Sequence, residues 1–361
     1  MKIIKQGQPQ VIMSNPKGRH NYFAWPTVAK LQDGRIAVAA SGFRLRHVCP
    51  FGKTVIAYSS DHGKSYTEPA PVIDTVLDDR DGGILPFGEN SVIVTSFNNT
   101  TDFQRHHKSA TPNDLHYLDS VKPDLEKQDL GVNFRISHDG GETFGKLMKS
   151  PVTSPHGPTE LPDGRLLWVG RTFSPENKKM PKDCIQAWHM TADGNMSYAG
   201  EIENIRVDDL ELFSCEPHAI ALDDGTVIAH IRVQGGGEVR YFTIYQAESY
   251  DGGKTWTKPH PILPRLGGAP PHLLKHSSGL LICTYGYRES PYGIKVMFSK
   301  DGGKTWDGDY DLYVSGISAD LGYPSTIELS DDSLLTVFYA HETKDGPAVI
   351  MQQKWSFIDE I

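Results

Sequence analysis

The sequence predicts an all-β protein, a six-bladed β-propeller built from four-stranded antiparallel blades. Two interleaved repeats predict this fold, and the composition agrees with them. The 35 glycines and 24 prolines among 361 residues are typical of many short strands joined by tight turns. Because closed β architectures often exceed the usual domain length, we expect residues 1–361 to form a single propeller domain.

The first repeat is an apolar hairpin that predicts the two inner strands of each blade. Each copy has an apolar strand, a turn centred on Asp-Gly or a related pair, and a second apolar strand. The N-terminal segment 1–14 has no hairpin of its own, so we expect it to add a strand to the last blade and close the ring. The six hairpins span residues 27–40, 83–97, 158–171, 218–233, 272–288 and 325–342.

The second repeat is an octet, Ser-x-Asp-x-Gly-x-Ser/Thr-aromatic, which predicts a stapled turn between the outer strands. Its Asp carboxylate can accept backbone N–H bonds, its Gly supplies a positive φ, and its aromatic ring packs beneath the turn. One carboxylate per octet is too few for a calcium site, so we predict neither a metal nor a cofactor. The copies are Ser59 to Tyr66, Ser137 to Phe144, Ser249 to Trp256, Ser299 to Trp306 and a degenerate Thr191 to Tyr198.

These octets resemble the Asp-boxes, or BNR repeats, of the sialidase (neuraminidase) superfamily. The resemblance implies a sialidase-like propeller and suggests a glycoside hydrolase of the bacterial exo-sialidase type. Asp-boxes also occur in propellers that are not enzymes, so they identify the fold better than the function.

Charge and cysteine content restrict the partners and the cellular compartment. A net charge of −9 without a Lys/Arg block argues against nucleic acid or an anionic membrane as a partner. The N-terminus has no signal-peptide core, and no segment approaches the length of a membrane span. The four cysteines lack C-x-x-C spacing, which predicts neither a zinc site nor a disulfide framework. We therefore expect a cytoplasmic protein, or a secreted one if a leader has been removed.

The blade geometry predicts which residues face the substrate. The inner-hairpin turns and the octet turns lie on one face of the disc, so the opposite face collects the residues before each first strand and after each second strand. Four of the second strands end in or near Arg, which binds carboxylates in a bidentate fork and predicts an acidic sugar as ligand. The substrate-face residues are Trp25, Arg80, Asp81, His156, Glu216, His218, His272 and Tyr323, with Arg44, Arg46, Asn98, Arg171, Arg232, Arg288 and His341.

The resemblance assigns roles to several of these residues. Sialidases use a Tyr nucleophile assisted by Glu, an Asp acid/base and an Arg triad that holds the carboxylate of the sugar. By position, Tyr323 resembles the nucleophile and Glu216 its partner, while Arg232 and Arg288 resemble the second and third triad members. The family's Arg-Ile-Pro is replaced by Ala24-Trp25-Pro26, so the first triad Arg is missing, and Arg44 or Arg46 is the candidate replacement.

The general acid is also missing from its usual place in the loop 43–52. Asp81 is the candidate replacement, with His156 as an outside candidate, and the neighbouring charges of Asp78 and Asp79 are expected to raise its pKa. Asp81 could equally form a plain ion pair with Arg80. Trp25 either stacks on a sugar ring or fills the channel.

Two other functions fit the same residues. A propeller polysaccharide lyase acting on uronic-acid-containing glycans would use the histidines with Tyr323 and would have no need of Glu216. A non-catalytic carbohydrate-binding propeller would explain the missing Arg and acid. In every case the expected partner is an oligosaccharide or glycoconjugate.

An insertion at 98–131 lengthens the second blade and contains a helix-compatible run. It could act as a lid that favours exo cleavage, or as an arm through which the protein forms a homo-oligomer.

Overall fold

The protein is a ring of six antiparallel blades around a central channel, as predicted. The structure, a computed structural model, describes residues 1–173, 184–208 and 210–359. Five blades follow one another along the chain from residue 22, and the sixth is completed by the strand nearest the N-terminus. No helix among the described residues is long and apolar enough to cross a membrane.

The strands are numbered in chain order within the described residues. They are β1 (Lys2–Met13), β2 (Tyr22–Lys30), β3 (Ile36–Arg44), β4 (Lys53–Ser59), β5 (Ala70–Ile73), β6 (Arg80–Phe87), β7 (Ser91–Phe97), β8 (Val132–Ser137), β9 (Met148–Ser150), β10 (Val152–Thr153), β11 (Thr159–Glu160), β12 (Leu166–Thr172), β13 (Ile185–Met190), β14 (Met196–Ile202), β15 (Arg206–Val207), β16 (Leu210–Glu211), β17 (Phe213–Ala221), β18 (Val227–Gly235), β19 (Tyr241–Ser249), β20 (His260–Pro261), β21 (Pro271–Lys275), β22 (Leu281–Tyr287), β23 (Tyr292–Ser299), β24 (Asp307–Gly316), β25 (Gly322–Glu328), β26 (Leu334–His341) and β27 (Ala348–Ile358).

In the first five blades the strands run from the channel outward in sequence order. Blades 1, 2, 4 and 5 are β2-β3-β4-β5, β6-β7-β8-β9, β17-β18-β19-β20 and β21-β22-β23-β24. In blade 3, the short strands β10 and β11 both pair with β12, one after the other along the same edge, and β13 and β14 follow. Blade 6 has the order β25-β26-β27-β1, so the N-terminal strand forms its outer edge. This pairing leaves no gap between the first blade and the last.

The apolar core is divided into six layers, each between two neighbouring blades of the described chain. Residues of blades 6 and 1 form one layer, and the same pattern repeats around the ring. Every inner strand is therefore covered on both faces, which explains why β3 and β26 are almost continuously buried and read as unbroken apolar runs.

The four intact octets form the stapled turns expected of them. In the first octet, Asp61 Oδ1 accepts the backbone N–H groups of Lys64 and Ser65 at 3.0 and 2.9 Å, and Asp61 Oδ2 accepts the Ser65 hydroxyl at 2.6 Å. The backbone N–H of Gly63 donates to Ser59 Oγ at 2.9 Å. Equivalent bonds from Thr to Asp close the turns at 139, 251 and 301.

The insertion forms three short helices between β7 and β8: α1 (Thr101–His106), α2 (Pro112–Ser120) and α3 (Pro123–Asp129). A capping box at Thr111 and Asp114 starts α2. Tyr117 packs on Phe51 with ring centroids 4.8 Å apart and donates a hydrogen bond to the Val76 carbonyl at 3.0 Å. The insertion therefore lies against blades 1 and 2 on the substrate face, beyond the end of β7.

Candidate functional site

A bulge repeated in the first strands directs four side chains towards the channel. Trp25, Asp81, Glu216 and Tyr323 all have positive φ, between 49° and 54°, and each lies at a register shift in its strand pairing. We expected these residues to precede the first strands. They lie inside β2, β6, β17 and β25, because strand pairing resumes on the far side of each bulge.

Two glycines allow the bulge of blade 2 to sit close to its neighbours. A Cβ on Gly82 would lie 2.4 Å from the Ala40 backbone nitrogen of blade 1. A Cβ on Gly83 would lie 2.9 Å from the Gly157 nitrogen of blade 3. The Asp81-Gly82-Gly83 sequence thus brings a carboxyl group to the axis where larger residues would clash with backbone on both sides.

Tyr323, Glu216 and Arg232 form a hydrogen-bonded group at the centre of the site. The Tyr323 hydroxyl donates to Glu216 Oε1 at 2.6 Å. Arg232 Nη1 donates to Glu216 Oε2 at 2.5 Å and lies 3.4 Å from Tyr323 Oη. Gln234 Oε1 accepts two further bonds from the guanidinium, at 3.1 and 2.5 Å. The Glu216 carboxylate is therefore held in place with one oxygen directed at the phenol.

Burial and charge set the protonation of the phenol. Burial raises the pKa of Tyr323 well above its ordinary value, and the neighbouring Glu216 charge raises it further, while Arg232 opposes them. The phenol is consequently neutral near pH 7. Its proton can leave only when an acceptor takes it, and Glu216 is the acceptor already in contact.

Asp81 has the properties of a general acid. Burial raises its pKa to about 7, the Glu216 charge adds to this, and Arg80 opposes it. Among the described residues, no group forms a hydrogen bond with its carboxyl that would fix it in the ionised form. A carboxyl group titrating near neutrality can both give and take a proton during one turnover.

The expected influence of Asp78 and Asp79 on Asp81 was wrong. Asp78 forms ion pairs with Arg44 at 2.6 Å and with Arg80 at 3.3 Å, which compensates its charge. Asp79 accepts hydrogen bonds from Thr75 and Asn98. Both carboxylates belong to a buried network behind the site, and the charge that raises the pKa of Asp81 comes from across the channel.

Neither Arg44 nor Arg46 replaces the missing triad arginine. Arg44 is fully buried and is held by Asp78, Ser41 and the His47 carbonyl. Arg46 forms an ion pair with Asp114 of the insertion. The guanidinium of Arg80 also pairs with Asp78, 4.2 Å from the Trp25 ring centroid. Arg44 and Arg46 are therefore held in structural contacts, whereas Arg80 is also close enough to Asp81 and Tyr323 for its charge to act on them.

Trp25 fills the channel wall and is not a platform for a sugar ring. Its side chain is 1% exposed and contacts the guanidinium groups of both Arg44 and Arg80, at 4.8 and 4.2 Å from the ring centroid. Its ring also contacts that of Tyr323, with centroids 6.4 Å apart. Trp25 thus supports the position of the Tyr323 ring and of the two guanidinium groups by edge and cation–π contacts.

Asp320 is a site residue that the sequence analysis missed. It accepts hydrogen bonds from Tyr22 at 2.8 Å, Tyr339 at 3.0 Å, His47 at 3.0 Å and His341 at 3.0 Å. These hydrogen bonds tie the segment just before Tyr323 to blades 1 and 6. The hydrogen bond from His341 to Asp320 raises the pKa of that imidazole.

Arg288 anchors the same segment from blade 5. Its Nε donates to the Leu321 carbonyl at 3.0 Å, and its Nη2 lies 3.5 Å from the Tyr339 hydroxyl. The guanidinium carbon is 5.7 Å from the Tyr323 ring centroid. Of the arginines expected at the site, Arg232 and Arg288 are the two that the structure places beside Tyr323. Arg171 lies over the Phe213 ring at 4.5 Å.

His156, His218 and His272 form a separate group in the channel. Their ring centroids are 4.5 to 5.3 Å apart, and none forms a hydrogen bond or ring contact with Tyr323 or Glu216 among the described residues. Burial lowers the pKa of all three. The three histidines predicted to bind substrate, including His156 as the outside candidate for the acid, therefore form a group apart from the one around Tyr323. No group of His, Cys, Asp and Glu in the described residues could hold a metal ion.

The fold and the repeat define a class, the sialidase-like propellers. The family model described as the BNR repeat-like domain matches residues 135–337, more than half of the chain, and the protein belongs to this family. No curated protein matches the sequence significantly.

Solved structures of the same fold include enzymes. A Dyadobacter fermentans protein described as of unknown function aligns with a TM-score of 0.77 at 22% identity over 99% of both chains. The NanB sialidase of Streptococcus pneumoniae gives 0.70 at 13% identity, over 97% of this chain and 71% of that one. The GH93 α-L-arabinofuranosidase of Fusarium graminearum gives 0.65 at 15% identity over 98% of both. At these identities the likeness shows a shared fold.

Proposed function

We propose that the protein is a retaining exo-glycoside hydrolase that removes a terminal acidic sugar, with Tyr323 as its nucleophile. The observation that carries the proposal is the 2.6 Å hydrogen bond from the Tyr323 hydroxyl to Glu216, which Arg232 holds in place. A buried phenol donating to a fixed carboxylate is an activated nucleophile of the kind that replaces a carboxylate in sialidases.

In the first step the glycosidic bond breaks and a bond to Tyr323 forms. Glu216 takes the phenolic proton as the Tyr323 oxygen attacks the anomeric carbon. Asp81, protonated at the start, gives its proton to the departing oxygen, so the leaving group departs as a neutral alcohol. Arg232 offsets charge on Glu216 before transfer and on the phenol oxygen during it.

In the second step water replaces Tyr323. Asp81, now ionised, takes a proton from the water as the water oxygen attacks the anomeric carbon. The bond to Tyr323 breaks, and the phenoxide recovers its proton from Glu216. One water is added overall, both carboxyl groups return to their starting states, and two displacements retain the configuration at the anomeric carbon.

The acidic sugar is supported by the charges around the nucleophile. Arg288 lies beside Tyr323, with its guanidinium carbon 5.7 Å from the ring centroid, and a guanidinium there suits a sugar carboxylate. A neutral nucleophile also avoids the repulsion that a carboxylate nucleophile would meet near such an anion. Arg44 and Arg46 are engaged elsewhere, so the carboxylate would be held by Arg288 together with Arg232, which also holds Glu216.

The insertion supports an exo mode of cleavage. Its Gln104 donates to Asp78 at 2.9 Å, and its Asp114 pairs with Arg46. Both contacts are with the network that packs behind Trp25 and Asp81. A helical layer fixed at that edge would narrow the site to the end of a glycan chain.

The product masses of a substrate panel test the reaction class. The protein is incubated with sialylated and with uronic-acid-containing oligosaccharides, and the products are weighed by mass spectrometry. We expect products heavier than the substrate by one water in total. Products of unchanged total mass with a new double bond would identify a lyase, and saturable binding without turnover across the panel would identify a carbohydrate-binding protein. Glu216→Gln is the companion variant, because hydrolysis through Tyr323 needs its carboxylate and elimination does not.

A further inference from the structure

A second cavity occupies the channel on the face opposite the Tyr323 site. It has a volume of about 370 Å³ and is lined by the first strands of all six blades, beyond their bulges. Its wall is largely aliphatic, with Val28, Ile84, Leu273 and Ile327 among its residues. A cavity of this size accommodates a small organic molecule.

Three histidines line this cavity, and we call His156, His218 and His272 the histidine collar. Their side chains come from blades 3, 4 and 5 and are 2%, 8% and 7% exposed. The rings of His218 and His272 stack at 4.5 Å with 12° between their planes, and His156 packs against both with its edge.

Backbone hydrogen bonds fix the tautomers of two collar residues. The Leu273 N–H donates to His218 Nδ1 at 2.8 Å, and the Thr326 N–H lies 3.3 Å from His272 Nδ1. A backbone N–H can only donate, so each Nδ1 is an acceptor and carries no proton. In a neutral imidazole the proton is then on Nε2. Burial lowers the pKa of His218 to about 3, so the neutral form prevails near pH 7.

The third collar residue has an unpartnered nitrogen. His156 Nδ1 contacts the Thr27 hydroxyl at 2.9 Å, while its Nε2 is buried and has no hydrogen-bond partner within the described part of the chain. The Nε2 atoms of His218 and His272 likewise form no hydrogen bond among the described residues. Buried polar atoms are rarely left without a partner, which points to a ligand at this position.

The chemistry of the collar selects a ligand that accepts hydrogen bonds. A metal ion would need the Nε2 lone pair, which the proton occupies in His218 and His272. The cavity mouth carries charges of both signs. The Glu328 carboxylate accepts hydrogen bonds from Ser277, whereas Lys30 is exposed and pairs with no acid among the described residues, so its charge is available to an anion.

We propose that the histidine collar binds a small carboxylate with a compact apolar body, at a site separate from the one around Tyr323. The carboxylate oxygens accept the Nε2–H groups, the apolar body contacts the aliphatic wall, and Lys30 attracts the anion to the mouth. This site lies at the opposite end of the channel from Tyr323, so the proposal does not depend on the proposed hydrolysis.

Histidine nitrogen NMR tests the collar directly. The full-length protein is labelled with ¹⁵N-histidine and titrated near pH 7 with pivalate, and with pivalamide as a neutral control of the same shape. We expect Nε2-protonated signals for His218 and His272 that shift and saturate with pivalate. Since the amide lacks the charge, its binding should be weaker than that of pivalate by about tenfold or more.

Variants separate the collar from other anion sites. His156→Phe should weaken pivalate binding about tenfold by removing the buried, unpartnered nitrogen of the collar, while His116→Phe, on the exposed face of α2, should leave it unchanged. Lys30→Glu should weaken binding through charge alone, which keeps the test valid if His156→Phe fails to fold. Arg288→Ala should have no effect, because its guanidinium lies at the other site.

Several outcomes would overturn the proposal. They are the absence of a saturable shift with pivalate, equal affinity for pivalamide, unchanged binding in a folded His156→Phe protein, and loss of binding in Arg288→Ala. Loss of sugar turnover in Tyr323→Phe has no bearing on these titrations, so the two proposals fail separately.

Discussion

The two faces of the disc use the same backbone conformation for different purposes. On the turn face, glycines such as Gly63, Gly141 and Gly253 adopt the positive φ that closes each octet, and glycine does so without steric cost. On the site face, Trp25, Asp81, Glu216 and Tyr323 adopt it, at a cost of roughly 1–2 kcal/mol for each side chain. In the first strands, the strain is retained at positions whose side chains face the channel. His62 and Asp332 also have positive φ on the turn face, so positive φ marks the site only together with the bulge in the strand pairing.

The aspartates of the two faces differ in the same way. Hydrogen bonds from the octet backbone and from Thr255 and Ser249 outweigh burial and lower the pKa of Asp251 to about 2. Burial, with the charge of Glu216, raises the pKa of Asp81 to about 7. One residue type is thus a permanently charged staple on one face and a proton donor on the other.

The comparison is tested most severely at Tyr323. Replacing it by Phe removes the nucleophilic oxygen while keeping the ring that packs on Trp25, so turnover should fall by on the order of 10³-fold or more with the fold intact. Steady-state rates on the best panel substrate and near-UV circular dichroism provide the measurement. A folded Tyr323→Phe protein with near wild-type turnover would remove Tyr323 from the mechanism.

Asp81→Asn should reduce the rate according to the leaving group. Loss of general acid catalysis should cost about 10²–10⁴-fold with alkyl aglycones and much less with a nitrophenyl aglycone, which needs no proton. In the unmodified protein, turnover of alkyl glycosides should fall as pH rises through about 7, because the acid must start protonated. An equal loss on both substrate types would refute the role of Asp81.

The same residue affects stability, with a sign that follows from its raised pKa. The proton held by folded Asp81 favours the folded state at low pH, and this contribution is lost as pH rises through about 7. The unfolding temperature of Asp81→Asn, measured relative to that of the unmodified protein, should therefore be higher at pH 9 than at pH 5. A difference independent of pH would show that Asp81 titrates elsewhere.

Asp320→Asn is expected to have an intermediate effect. An amide cannot accept from all four donors, so the segment before Tyr323 should loosen and kcat should fall by about 10–10²-fold through misplacement of the phenol. The KM should change little, whereas the unfolding temperature should fall, because hydrogen bonds from His341, His47 and Tyr22 outweigh burial and hold the pKa of Asp320 below its ordinary value. A matched control is Asp331→Asn, which removes an exposed ion pair with Lys354 on the turn face and should leave kcat unchanged.

The smallest effect is expected at an octet. Asp251→Ala removes the staple of one turn and should lower the unfolding temperature by about 2 °C at pH 7 without changing kcat. Because the pKa of Asp251 is lowered, its contribution is present above the ordinary Asp range and is lost as pH falls towards 2. Calorimetry at pH 7 and pH 3 should show the difference shrinking at the lower pH.

Local patterns explain what the sequence could predict. Alternating apolar strands, Asp-Gly turns and octets are each decided within about ten residues, so the blades and their number followed from the sequence. The positions of Glu216 and Tyr323 could also be predicted from the sequence, because each precedes a proline. Proline within a strand is confined to edges and bulges, and the same signal follows Trp25. Those prolines could have revealed the bulge.

The remaining features depend on residues far apart in the chain. The four donors to Asp320 come from both ends of the sequence, at 22, 47, 339 and 341, and no local pattern links them. Arg44 is the last residue of its strand, where a substrate-binding residue is expected, but it forms a buried ion pair with Asp78, which precedes the next blade. The histidines occupy positions next to the bulges, and only the register shift decides that they face the opposite end of the channel.

The strand that closes the ring has a consequence for how the molecule is made. The side chains of Gln10 and Gln352, 342 residues apart in sequence, are hydrogen-bonded between β1 and the adjoining β27. Contacts of such sequence separation form late in folding. During synthesis β1 emerges first and must wait, unpaired, until the last blade leaves the ribosome. Tyr323 belongs to that blade, so the proposed nucleophile reaches its final position in the same event that closes the ring.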